Sequence, residues 1–492
     1  MEILLSTTLP QIFQPMSILL AVFGSISGIV LGAIPGLSGG LAIALLLPLT
    51  FTMQTHHAIV LLMSIYVGSM SGSYISAILL GIPGTPSSIS TIFDGYELTK
   101  QGKPVEALSA ATIANFIGSL PGLILAMFLS PFISKLAIKL GPWEFFSLVF
   151  CAIMMVVSLS KGNLAKGLIA SGFAIIITSV GTAPLCATQR FTFGNYYLIG
   201  GFGLIGALLG LFAGRTILME YAKNEKSEEG EKIKVEPFRW PGHDLFRNIR
   251  NIIQSFFIGF GIGVLPGLGG SLSNMMAYGV SKNTSKHPDE YGKGCIDGVI
   301  APEVANNASL GGALVPFVSL GIPGDMVTAL LLGALTIQGV QPGPLIYLNA
   351  LDVVYLLFGA CIFAVFIVVL FQIFSMPLFP RFLKVPYQYL YPIIFVLCVV
   401  GAYTSTGNMY DVLLFITFTA FGIFMAYMDL PTTPFILTYV LSTLLESNLR
   451  KGMSYSVSSF FTRPISLMFL ILALAIGFLP LINDKLKSKR KA

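Results

Sequence analysis

Few side chains in this sequence can do chemistry, and they gather beside interruptions in otherwise apolar runs. The stretch DGVIAPEVANNASLGG carries Asp297, Glu303, Asn306, Asn307 and Ser309, and Asp325 follows the next GIPG. A carboxylate at mid-bilayer costs about 2.5–3.5 kcal/mol on insertion scales, so its default reading is functional. Glu303 is the strongest candidate because an apolar run follows it. Asn306 and Asn307 add neutral oxygens suited to a hard cation such as Na⁺. Their plainer role is hydrogen bonding between helices. The expected cation ligands are therefore Glu303, Asn306, Asn307 and Asp325, with Asp94 and Asp297 open to reading as surface-loop residues.

The interruptions themselves are the second chemical feature. LLGIPGTPSSISTIFDG packs Gly81, Pro83, Gly84 and Pro86 together, then adds Thr85, Ser87, Ser88, Ser90, Thr91 and Asp94. Comparable breaks fall at 34–40, 265–270 and 321–324. Proline removes a backbone donor and forces the break, and glycine permits close backbone approach. In lipid, such backbone survives only against protein or a water-filled cavity. A helix restarting after a break points free N–H groups into the gap, where an anion such as a carboxylate is favoured. Lys and Arg are scarce nearby, which favours backbone amides at Gly36, Gly84, Gly267 and Gly324 as anion ligands. Pro35, Gly39, Thr85, Ser87, Pro266 and Gly270 complete the expected substrate site.

Composition sets the elements that must position these groups. The 492 residues are 55% hydrophobic and 10% charged, with a mean hydropathy of +0.84. Soluble domains average about 25% charged residues, which excludes an ordinary soluble globular protein. Apolar runs recur at 18–34, 59–80, 108–129, 145–159, 164–180 and 196–218. More follow at 252–265, 296–320, 353–374, 392–402, 412–428, 432–445 and 465–479. The expectation is an all-α polytopic membrane protein with about 12 crossings, some broken or re-entrant, each needing about 20 residues to span the bilayer.

The two halves echo each other. GIVLGAIPGLSGG resembles GFGIGVLPGLGGS, pairing Pro35 with Pro266 at an offset of 231 residues. LLGIPGT resembles SLGIPGD, LTKQG resembles LTIQG, and Gly162-Asn163 resembles Gly407-Asn408, at offsets of 240, 237 and 245. The order is kept, so the chain reads as an internal duplication. Residues 1–219 form the first half, 220–250 a charged cytoplasmic linker, 251–482 the second half and 483–492 a basic cytoplasmic tail. Lys135 and Lys139 in one half match Arg381 and Lys384 in the other, which favours parallel halves. Paired broken segments favour inverted repeats, and inversion is the expected arrangement.

Other classes are set aside on context. GFGLIG, Gly201 to Gly206, lies in an apolar span without a preceding strand and fails as a dinucleotide site. The five cysteines and four histidines show no metal-ligand spacing, and the net charge of +6 has no nucleic-acid patch behind it. No P-loop motif is present. A passive anion channel and an intramembrane enzyme remain as alternative classes. Accumulation against a gradient separates the first, and substrate turnover the second.

GAIPGLSGGLAIALLLPLTF, GIPGTPSSISTIFDGYELTKQGKP, APEVANNASLGGALVPFVSLGIPG and LLGALTIQGVQPGPLI resemble the large membrane subunit of tripartite tricarboxylate transporters, the TctA family, over nearly the whole chain. The resemblance implies a bacterial inner-membrane permease working with a small TctB-like membrane subunit and a periplasmic TctC-like solute-binding protein. It further implies secondary uptake of citrate-like carboxylates, with Na⁺ as the coupling ion and no other cofactor. Asp325 departs from the small or hydroxyl residue of many members, which puts the tricarboxylate label in question. A trianion entering a negative-inside cell faces about 7 kcal/mol per 100 mV, so ion coupling is the consistent energy source.

Overall fold

In a bilayer the apolar runs bury their backbone polar groups by folding as helices, and the observed chain is predominantly helical. The computed structural model describes residues 4–35, 37, 39–159, 164–223, 235–267, 269–383 and 387–491. In chain order the main helices of the first half are α1 (Pro15–Ala33), α2 (Gly39–Thr50), α3 (Thr55–Gly72), α4 (Tyr74–Leu80), α5 (Thr91–Lys100), α6 (Pro104–Ala137), α7 (Pro142–Leu159), α8 (Leu164–Thr178), α9 (Leu204–Leu209) and α10 (Arg215–Lys223). A π-helical turn, Gly210–Gly214, joins the last two. The second half holds α11 (Ile249–Val264), α12 (Gly269–Thr284), α13 (Asp297–Leu320), α14 (Met326–Ile337), α15 (Leu351–Ser375), α16 (Tyr387–Thr406), α17 (Met409–Tyr427), α18 (Thr432–Tyr455) and α19 (Pro464–Lys491).

Among the described residues, five helices are long and apolar enough to cross a membrane: Pro15–Ala33, Thr55–Leu80, Pro104–Ala137, Leu351–Arg381 and Met409–Tyr427. Eight shorter apolar helices accompany them among the described residues. The run expected at 196–218 does not form one helix. Its first part is a short 3-10 turn, Tyr196–Leu198, beside a β-ribbon pairing Gly181–Thr182 with Gln189–Arg190. The helix starts only at Leu204, because Gly200, Gly201 and Gly203 interrupt the run and Gly201 takes a φ of +72°.

Contacts fix the course of the central helices. Ile65 lies against Gly28 and Ser69 against Gly32, so α1 and α3 run in the same direction. Ala305 lies against Gly259 and Ser309 against Gly263, so α11 and α13 do likewise. A Cβ on Gly32 would lie 2.3 Å from the Ser69 carbonyl oxygen. These glycines therefore let backbones approach as small residues do in membrane bundles. Val304 lies against Gly118 and Gly122 against Gly311, making α6 parallel to α13. Tyr74 bonds Thr112 while Asn115 reaches the Ser71 carbonyl, making α6 antiparallel to α3. Hence α3 and α13 cross the centre in opposite directions. Around this core, α7, α8, α18 and α19 pack together, as α9, α16 and α17 do.

At the end of the bundle bearing the ribbon, Arg190 forks onto Glu446 (2.7 and 3.1 Å), which also accepts from Arg450 (2.7 Å). Burial pushes the Glu446 carboxyl up, but hydrogen bonds from Arg190 and Arg450 outweigh it and hold the group below 4.5. A depressed carboxyl contributes stability above its unfolded pKa and loses it as pH falls through the folded value. Wild-type protein therefore loses ribbon anchorage below about pH 4.5, and Glu446→Gln removes that component of the pH profile. Limited proteolysis of 181–201 against pH checks this. In the core, Gly32→Ala overpacks α1 on α3 and lowers stability by about 1–3 kcal/mol, read as a lower melting midpoint in detergent.

Candidate functional site

The centre is built on α13, a helix buried along nearly its whole length. Both α4 and α13 end on a glycine in the left-handed region, Gly81 (φ +69°) and Gly321 (φ +70°). A residue with a Cβ is strained there, and glycine lets the chain turn back after the helix. At the second end, Gly321 and Ile322 N–H groups donate to the Phe317 and Pro316 carbonyls, both at 3.2 Å. The chain then folds back so that Gly324 packs on Ala313. Gly84 likewise returns against the carbonyls of Gly32 and Ser73.

The breaks converge. The Gly267 N–H donates to the Gly324 carbonyl at 2.7 Å, tying the break at 265–267 to the 321–325 break. Gly269 abuts Asp325, Gly39 abuts Ser69 and Val327, and Gly270 abuts Ser87, Met70 and Asn306. Gly267 also leans on Val156 of α7 and Leu437 of α18. Gly39, Gly84, Gly267, Gly270, Gly324, Ser87, Asn306 and Asp325 are thus brought to one region. Pro35 and Pro266 sit in the adjoining turns. Gly36 lies outside the described residues, as does Gly162-Asn163 of the repeat.

The four expected cation ligands occupy different surroundings. Asp325 caps α14: Oδ1 accepts from the Thr328 N–H (2.7 Å) and hydroxyl (2.8 Å), and the Asp325 N–H donates back to Thr328 Oγ1 at 2.9 Å. Its Oδ2 accepts from the Tyr66 hydroxyl at 2.7 Å. Asn307 joins three helices. It accepts from Ser71 (3.0 Å) and Ser119 (3.1 Å), and donates to Asn115 Oδ1 (2.5 Å) and the Glu303 carbonyl (3.1 Å).

Glu303 and Asn306 present the opposite picture. Both are fully buried. Glu303 Oε1 accepts from the Thr91 hydroxyl at 2.5 Å, but Oε2 has no partner. Neither side-chain polar atom of Asn306 has one. Asn274 lines the same wall, accepting from the Ser90 N–H (2.9 Å) and donating to Thr91 Oγ1 (3.3 Å). Thr85 and Ser87 hydroxyls bond each other at 2.7 Å at the edge of this centre. Among the described residues no cluster of three or more His, Cys, Asp or Glu side chains suits a metal ion.

Asp94 is buried rather than part of a surface loop. It accepts from the Tyr278 hydroxyl (2.9 Å) and from the N–H groups of Gly292 (2.8 Å), Gly294 (3.0 Å) and Cys295 (2.7 Å). It thereby pins the loop leading into α13. Asp297 pairs with Arg247 (3.3 Å) and Asn248 (2.6 Å). Sequence reasoning passed over Asn274 and Tyr66. Asn274 and Tyr278 follow Gly270 at four-residue spacing on one face of α12, a helix that also carries Ser271, Ser273 and Ser281. Tyr66 sits in an apolar run whose composition hides its hydroxyl.

This architecture, helices interrupted inside the bundle and crowded onto a buried polar centre, defines a multi-pass membrane protein. The tripartite tricarboxylate transporter TctA family matches residues 18–437, and the chain belongs to that family of large membrane subunits. It is 32% identical over 480 residues, 96% of this chain and 95% of the relative, to an uncharacterised 52.8 kDa protein of the TAR-I ttuC' 3' region of Agrobacterium vitis. It is also 34% identical over 232 residues to an uncharacterised protein of the TAR-II ttuC' 3' region of that organism, covering 46% of this chain and 96% of the relative. No solved structure matches.

Asp325→Ala removes the α14 cap and lowers stability by about 0.5–2 kcal/mol. Asn307→Ala strands its bonded neighbours, with a loss of about 1–3 kcal/mol for each buried group left unpaired. Melting midpoints in a single detergent check the two.

Proposed function

We propose that the chain is the permease subunit of a binding-protein-dependent tripartite system for secondary uptake of small carboxylates, driven by a Na⁺ gradient. The observation that carries this reading is the convergence of the interrupted segments on Glu303 and Asn306, where Glu303 Oε2 and both side-chain polar atoms of Asn306 lack protein partners. Membership of a tripartite transporter family supplies the substrate class, and implies a small membrane subunit and a periplasmic solute-binding protein as partners.

The two halves act as inverted repeats, 1–219 and 251–482, on either side of the linker 220–250. The span of α3 and α4 runs antiparallel to α13, and GIPG follows α4 as it follows α13, which supports that relation. Arg463 meets Glu144 and Ser158 meets the Ile476 carbonyl, so α19 runs parallel to α7 and its end lies on the linker side. Lys100, Lys103, Lys282, Lys286 and Lys293 fall at that same side, next to the start of α13. Positive-inside bias makes this side the cytoplasm of a bacterial inner membrane, with the basic tail 483–492 there. Lys135 and Lys139 at the far end of α6, with Arg190, Arg450, Lys451 and Arg463 on that same opposite side, run against the bias. Carboxylate binding falls to the break regions around Gly84, Thr85, Ser87, Gly270 and Gly324, with Pro35, Gly39, Pro266 and Gly267 shaping the tips.

The test is uptake by proteoliposomes holding the protein with its partner subunits. An inward Na⁺ gradient should drive accumulation of a carboxylate such as citrate above the equilibrium level. Equilibration without accumulation would assign a passive channel instead, and no carboxylate movement under any cation gradient would remove the transporter reading.

A further inference from the structure

Four buried side-chain atoms without a hydrogen-bond partner belong to just three neighbouring residues: Ser90 Oγ, Glu303 Oε2, and Asn306 Oδ1 and Nδ2. Leaving such a group unpaired costs about 1–3 kcal/mol, and more where it is charged. Glu303 and Asn306, three residues apart, share one face of α13. Among the described residues no ion pair reaches the Glu303 carboxylate, which accepts from the Thr91 hydroxyl. Three buried oxygens that accept no hydrogen bond, one of them from a carboxylate, are the type of ligand a hard cation takes. A stable fold does not keep such a cluster empty of positive charge.

We propose that Ser90, Glu303 and Asn306, with Thr91 at the rim, form a single Na⁺ pocket. Asn274 is its positioning residue, holding the Ser90 backbone and the Thr91 hydroxyl in place. Asn307 and Asp325 stand outside it, since their side-chain oxygens already accept hydrogen bonds. Gly270 opens the pocket on one side, because a Cβ there would lie 2.2 Å from Asn306 Oδ1.

The pocket exists once. This step rests on the repeat relation of the proposed function. At offsets of 240 and 231, Ser90, Thr91, Glu303, Asn306 and Asn274 correspond to Leu330, Leu331, Met63, Tyr66 and Ile43. The geometry keeps that correspondence, for Gly270 abuts Ser87 as Gly39 abuts its counterpart Val327. The counterpart of the pocket is therefore apolar except for Tyr66, whose hydroxyl is committed to Asp325. The pocket lies in the half of α13 nearer its start, toward the side of the linker.

The experiment is Na⁺ titration of the full-length protein in lipid nanodiscs, with choline holding ionic strength constant, read by calorimetry and by melting midpoint. The wild type should bind one Na⁺ saturably. Glu303→Gln, Asn306→Ala and Ser90→Ala should each weaken binding at least about tenfold, a change of about 1.4 kcal/mol. Met63→Leu should leave it unchanged, and Asp325→Asn should lower the choline midpoint while keeping Na⁺ affinity. If Glu303→Gln does not fold, as judged by gel filtration, the other two pocket variants decide. Unchanged affinity in those variants would overturn the pocket, and a stoichiometry of two would overturn its singleness. Absence of Na⁺ binding with stabilisation by acid would replace Na⁺ with a proton at Glu303 and overturn the proposal. Na⁺-driven uptake with unaltered Na⁺ affinity in the variants removes the pocket and leaves the transporter. Site-specific Na⁺ binding without any carboxylate uptake does the reverse.

Discussion

Every broken helix inside a bilayer must find partners for the backbone groups it frees, because hydrocarbon supplies none. In this protein the breaks satisfy that requirement against one another. The Gly267 N–H donates to the Gly324 carbonyl, Gly321 and Ile322 return to the end of α13, and Asp325 caps the helix that follows. The rest of the bundle follows from keeping these segments in register. Glycine-lined contacts hold α1 on α3 and α11 on α13, and α6 lies beside α13 on Gly118 and Gly122. A shift of one turn in any of these would separate donors from acceptors that have no alternative.

Polar side chains in the centre divide by whether their bonding is complete. Asn307, Asp325 and Asp94 are saturated by neighbours and act as fasteners between helices, at a break and at a loop. Glu303 and Asn306 are equally buried and incompletely bonded. Buried groups of the first kind stabilise a unique arrangement, whereas groups of the second kind destabilise it unless something binds there. Asn306 and Asn307 lie side by side in one motif, ANNAS, where adjacent positions project about 100° apart around the helix and so meet different neighbours.

The sequence alone carries the family, the membrane class and the positions of the breaks. Proline, glycine and hydrophobic run length act locally and leave the same mark wherever they occur. It overstated the run at 196–218, where a helix begins only at Leu204 after glycines that hydropathy counts as neutral. It also named Glu303, Asn306, Asn307 and Asp325 as one set, since residue type alone does not reveal a partner.

What only the tertiary structure decides is which of those groups are already bonded. Asn307 meets Ser71, Ser119 and Asn115 from segments about 190 to 240 positions away. Tyr66 reaches Asp325 across a similar separation. Asn274 joins the Glu303 wall because α12 lies along the segment that carries Ser90 and Thr91. Hydrogen-bond saturation is a property of the packed neighbourhood, and no local pattern of residues encodes it. The course of α3 against α13 is likewise set by contacts through α6, which spacing along the chain does not contain.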